Sequence, residues 1–232
     1  MAFKNEQLNN LTVYDEEYLR NLTVQFIEVM RSTEREGIDD LLTHLVEETD
    51  FFTAPASTRF HGNFKGGLLV HSVNVLNRFD SMCDAEGLDI SKSSRLIVGG
   101  FHDFCKANQY KEVVKPLKND ALGKWYDCHT YEYTSENTIP LGHGEKSVML
   151  LQKYIELTDL EMMCIRWHMG FSEEGAIKAG INDAFRYHKA VPAMHMADTM
   201  ATTFDEITVD HKEIKAKEVN MQSNTTNKLT YK

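Results

Sequence analysis

The sequence predicts an all-α protein with a small β-hairpin insertion. Apolar residues recur at helical spacing over most of the chain, strand-like residues are confined to one stretch, and capping or turn residues separate the helical segments. The first helix is expected between Tyr14 and Arg31, where Tyr18, Leu22, Phe26, Ile27 and Met30 supply the period, and a second follows Gly37 over Ile38 to Val46. Thr49 to Lys65, with Pro55, Ser57, Thr58 and Gly62, reads as a loop that ends at Gly66-Gly67, where a long helix starts and runs to about Glu86. Ser91, Ser93 or Ser94 can cap the next helix, which carries Leu96, Ile97 and Val98 towards Phe104.

Between Tyr110 and Asn137 the segments Lys111 to Lys115 and Thr130 to Thr134 are β-like and predict a hairpin. Further helices are expected over Gly144 to Leu157, Asp159 to Met169 and Pro192 to Ile207, with a shorter piece near Asn182 to Tyr187. This divides the chain into a helical lead-in (1–48), a main domain (49–207) and a polar tail (208–232).

At 232 residues, with 42% apolar and 26% charged side chains, the chain can close one substantial core. A formal charge of −10 repels polyanions and disfavours long nucleic acid as a partner. A small phosphate ester remains compatible, because bound divalent cations outweigh a diffuse negative surface at contact distance. Cys83, Cys105, Cys128 and Cys164 show no C-x-x-C spacing, which argues against a zinc ribbon and a disulfide framework and for reduced thiols. No apolar leader or membrane-length stretch is visible, so a cytoplasmic protein without a membrane partner is expected; oligomeric state is not legible.

The chemistry lies in the placing of histidines and acids. His71 falls on the inward face of its helix with Leu68, Val75 and Phe79, and Asp198 shares a face with Met194 and Ala201. A carboxylate on such a face demands a cation, either a metal or an Arg or Lys partner. His102 and Asp103 end a core helix, His143 stands between two glycines at a helix start, and His168 ends the helix bearing Cys164 and Trp167. Singly, each has an ordinary packing or loop role. Jointly, four imidazoles and two carboxylates on successive helices could converge inside a bundle and hold metal.

This ordered series resembles the HD superfamily of metal-dependent phosphohydrolases, in the version that holds two ions. The stretches His61-Gly-Asn-Phe-Lys-Gly-Gly-Leu-Leu-Val-His71, Gly99-Gly-Phe-His-Asp-Phe-Cys-Lys106, Tyr133-Thr134, Leu141-Gly-His143 and Trp167-His168 are similar to the HD module of bacterial 3′-to-5′ exoribonucleases of the YhaM type. The likeness covers roughly residues 55 to 205 and implies an HD-domain helical bundle. Nothing before Thr49 resembles the oligonucleotide-binding module of those enzymes, and there is no Gly-Tyr-Pro motif of the cyclic-dinucleotide phosphodiesterases.

The resemblance implies one ion held by His71, His102, Asp103 and Asp198, and a second held by Asp103, His143 and His168. Manganese, iron, cobalt, nickel and zinc all suit such ligands. Lys106 matches the lysine of an HD-x-x-K variant and would neutralise a phosphate oxygen; His61 would touch substrate or protonate the leaving oxygen. Lys146, Arg59 and Arg186 are further candidates for binding phosphate, and His195 for supporting Asp198. His44 reads as exposed and silent. The expected reaction is hydrolysis of phosphate ester or anhydride bonds in nucleotides or short oligonucleotides by a hydroxide between the ions. The alternatives are a di-iron oxygenase of the same superfamily, an exoribonuclease acting on longer RNA, and a silent nucleotide-binding module.

Overall fold

Helices begin where the sequence supplies a cap. In a computed structural model, which describes residues 13–119, 123–134, 139–172 and 177–209, α1 (Glu16–Arg31) starts at Asp15, whose carboxylate accepts from the Tyr18 N–H at 2.7 Å. After α2 (Ile38–Glu47) and the turns around Phe51 and Phe64, α3 (Gly67–Ala85) runs through the middle of the fold. The next helix, α4 (Lys92–Phe101), is capped by Ser91, whose hydroxyl accepts from Ser94 N at 3.1 Å. A 3₁₀ turn, Phe104–Lys106, follows directly.

Strands β1 (Tyr110–Asn119) and β2 (Lys124–Tyr133) form one antiparallel ribbon in which Tyr110 faces Tyr133 and Asn119 faces Lys124. The ribbon is about twice as long as its sequence pattern suggests. Pro116, which cannot donate to a ladder, sits inside β1; a two-stranded ribbon tolerates this because alternate N–H groups point to an open edge.

The remaining helices are α5 (His143–Leu151), α6 (Asp159–Arg166), α7 (Ile177–Tyr187) and α8 (Ala190–Met200). Thr158 and Glu161 cap α6 reciprocally: the Thr158 hydroxyl accepts from Glu161 N, and Glu161 Oε2 accepts from Thr158 N at 2.8 Å. The sequence-based limits overrun at three ends. The α5 helix stops at Leu151, α6 gives way near Trp167 to a 3₁₀ turn at Gly170–Ser172, and α8 widens into a π-helical turn, Ala201–Asp205. The described chain is mostly helical with a single two-stranded sheet.

One continuous apolar core unites these elements. Phe26 and Met30 of α1 and Leu41 and Leu45 of α2 join Leu68, Val75 and Phe79 of α3 and Ile97 and Phe101 of α4, so the lead-in packs on the same core as the rest. Phe26 contacts both Phe51 and Phe101 at 5.6 Å between ring centroids. The four cysteines are buried and form no disulfide. Among the described residues, no helix is long and apolar enough to cross a membrane. Of the expected tail, residues 210–232 lie outside the described ones, while Val209 is buried against Asn63.

Candidate metal centre

Two close backbone approaches set the geometry. A Cβ at Gly99 would lie 2.6 Å from the Leu76 Cα, so only glycine lets α4 press directly on α3; this brings His102, just past α4, beside His71 of α3. A Cβ at Gly144 would likewise strike the carbonyls of Ile165 and Arg166, so the start of α5 sits on the end of α6, and His143 and His168 both face Asp103 Oδ1. The Cys105 N–H donates to Ser147 Oγ at 3.1 Å and ties the Phe104–Lys106 turn to α5.

The carboxylate of Asp103, only 2% exposed, stands at the middle. Its Oδ2 lies 3.2 Å from His71 Nε2, 3.5 Å from His102 Nε2 and 2.6 Å from Lys106 Nζ. Its Oδ1 faces the other way, 3.5 Å from His168 Nε2 and 4.0 Å from His143 Nδ1. Asp198 Oδ1 closes the first side at 3.5 Å from His71 Nε2. The structure thus brings together all six residues that the sequence singles out as candidate ligands.

The outer nitrogens fix the tautomers. His102 Nδ1 meets Gly99 O at 3.0 Å and His168 Nδ1 meets Ile165 O at 2.7 Å; a carbonyl only accepts, so both Nδ1 atoms carry the proton. His71 Nδ1 donates in the same way to Glu206 Oε1 at 2.9 Å. The Nε2 atoms of His71 and His102, each an acceptor in the neutral ring, are nevertheless 3.0 Å apart. Two lone pairs at that distance repel unless a positive charge lies between them.

Electrostatics follow the same division. Burial opposes a charge on His71, yet Asp103, Glu206 and Asp198 hold its imidazole up at about 10. Burial pushes His102 down to about 3, assisted by the neighbouring His168 and His71. Burial also opposes ionisation of Asp103, but Lys106 and His102 hold it well below the usual carboxylate range. Proton and cation therefore compete for one small space.

The donor set fits bound cations. Atoms about 2.0–2.2 Å from a shared ion lie about 3.0–3.5 Å from one another, which is the spacing of His71 from His102 and Asp103 and of His102 from Asp103, with Asp198 approaching from the His71 side. Asp103 Oδ1 and His168 Nε2 are buried without a hydrogen-bond partner, at a cost of about 1–3 kcal/mol each if nothing completes them.

The other expected residues fall differently. Lys106 is buried and paired with Asp103, so its ammonium serves the carboxylate at the centre rather than an open surface. Lys146 is also buried, and burial lowers its ammonium pKa. Arg59 and Arg186 are exposed; Arg186 lies over its neighbour Tyr187, and among the described residues no hydrogen bond or ion pair joins either to the cluster. His61 lies 5.0 Å from His71 between ring centroids, but burial lowers it to about 4, so the neutral ring is a poor acid at pH 7. His195 supports His168 rather than Asp198: its Nδ1–H donates to the His168 carbonyl at 2.7 Å. His44, expected exposed, stacks on Tyr154 at 4.9 Å.

Two neighbours escaped the sequence reading. Glu206 was hidden because a helix continued to Ile207 would turn it about 80° away from Asp198. Cys105, whose thiol burial pushes up to about 12, has its sulfur within 4.8 Å of donor atoms of Asp103 and His143. Its position two residues after Asp103 was the available signal. Comparison of the chain with family models, curated proteins and solved structures finds no match.

Proposed function

We propose that this chain is a metal-dependent phosphohydrolase of the HD type, cleaving phosphate ester or anhydride bonds in nucleotides or short oligonucleotides. The observation that carries this reading is the division of one buried carboxylate, with Asp103 Oδ2 towards His71 and His102 and Oδ1 towards His168 and His143. In this reading His71, His102, Asp103 and Asp198 hold one divalent ion, and Asp103, His143 and His168 hold the other. Such a pair, when bound, supplies Lewis acidity that activates water and polarises a phosphoryl oxygen.

The chain's own residues have separate tasks. Gly99 and Ile165 carbonyls aim the His102 and His168 rings, so their Nε2 lone pairs face inward before any ion arrives. Lys106 keeps Asp103 ionised and places a positive charge beside the centre, where an anionic substrate has to approach. The net charge of −10 favours a small substrate captured at this local positive site over a long polyanion drawn in by the whole surface.

The test is a panel assay of the manganese-loaded protein on nucleoside phosphates, cyclic nucleotides, dinucleotides and short RNA. Phosphate-bond cleavage that disappears with chelator and with Asp103→Asn is the expected result. Oxygen uptake without release of phosphate or nucleotide would replace hydrolysis with oxygenation.

A further inference from the structure

We infer that Glu206 is a positioning residue that makes the His71 side of the centre the tighter of two metal sites; this rests on the binuclear reading above. The chain after α8 does not run off the bundle. The π-helical turn Ala201–Asp205 ends in Glu206 with extended backbone (φ −112°, ψ 151°), and residues 205–209 then lie as a strap along α3 and the 61–63 turn.

Five hydrogen bonds hold that strap without any help from Glu206. Arg78, two helical turns beyond His71, grips both oxygens of Asp205 at 2.7 and 2.5 Å. The Gly62 N–H donates to Ile207 O at 3.1 Å. Buried Asn63 pairs with the Val209 backbone twice, donating to its carbonyl at 3.0 Å and accepting from its N–H at 2.7 Å. Glu206 is thus not needed to fix the segment; the segment fixes Glu206.

The Glu206 side chain is 1% exposed, an expensive place for a carboxylate, and its Oε1 accepts from His71 Nδ1 at 2.9 Å. The rings of His102 and His168 have backbone carbonyls behind them, whereas the ring of His71 has a carboxylate. A carboxylate behind an imidazole makes the opposite nitrogen a stronger donor to a cation and locks the ring's orientation. The two sides of Asp103 are therefore unequal, and the ions should bind in sequence.

The experiment is titration of the metal-stripped full chain with manganese(II) against a competing chelator, with thermal melting followed in parallel. Wild type should bind in two steps. Glu206→Gln, which preserves shape and can still accept from Nδ1–H, should weaken the first step by about 10–100-fold while leaving the second within about threefold, and Glu206→Asp should recover part of the loss. Equal weakening of both steps, or an unchanged first step, would overturn the assignment of Glu206 while leaving the binuclear reading intact. A wild-type chain that takes up no manganese removes the binuclear reading and this inference together.

Discussion

Glu161 and Asp103 are both buried carboxylates, and their surroundings are opposite. Glu161 has every oxygen engaged by fixed donors: Oε1 meets the Arg35 guanidinium, and Oε2 accepts from the Thr158 N–H. Arg35 is itself tied to Ser93 Oγ at 3.1 Å and the Glu156 carbonyl at 3.0 Å. Asp103 is ringed by imidazole nitrogens, its Oδ2 also meets Lys106 Nζ, and its Oδ1 has no hydrogen-bond donor. The lesson is that burial alone does not mark a functional acid. A structural carboxylate is closed by donors on both oxygens, whereas Asp103 has donors on Oδ2 and none on Oδ1, which a cation would complete.

The sharpest way to break this contrast is to neutralise each acid. Asp103→Asn should lose both ions and lower kcat/KM by at least about 100-fold, since loss of an outer partner alone costs about 10–100-fold; metal analysis and steady-state kinetics decide it. Glu161→Ala should cost about 3–5 kcal/mol of unfolding free energy, nearer the lower figure because Arg35 is 21% exposed, while metal content stays the same. A denaturant titration measures this, and a metal-poor but fully stable Glu161 variant would reverse the assigned roles.

A pH series sharpens the contrast further. The folded pKa of His71, raised from 6.5 to about 10, means that its stabilising contribution is complete below about 6.5 and is lost as pH rises through about 10. His102 and His61 are held down, to about 3 and about 4, so their share is present above 6.5 and is lost as pH falls through those values. The chelated protein should therefore be most stable near pH 6.5, and metal should flatten the alkaline limb by replacing the His71 proton. The smallest effect is expected from Ser91→Ala, about 1 kcal/mol from the lost cap of α4, with metal content unchanged.

Much of this was legible from spacing. The inward faces of α3 and α8 announced His71 and Asp198, and the cap offered by Ser91, Ser93 or Ser94, which the structure assigns to Ser91, placed α4 so that His102-Asp103 came at its end. What stayed hidden depended on long-range contact. The π-helical turn after Met200 is marked by neither proline nor glycine, so nothing local signalled that Glu206 would leave the helix and meet His71. Lys106 was expected to reach a phosphate oxygen, because a spacing of three from Asp103 does not show that its ammonium is enclosed and paired with that carboxylate. The length of the ribbon was masked by Pro116 and by charged residues along both strands.

Gly99 joins two of these threads. Its missing side chain lets α4 touch the backbone of α3, and its carbonyl accepts the His102 Nδ1 proton, so one residue governs both the gap and the aim of neighbouring donors. The separation of the His71 and His102 Nε2 atoms is consequently gauged by a helix crossing that has no chemistry of its own. A single methyl group inserted at that crossing would change the spacing of these donors while leaving each of them in the chain.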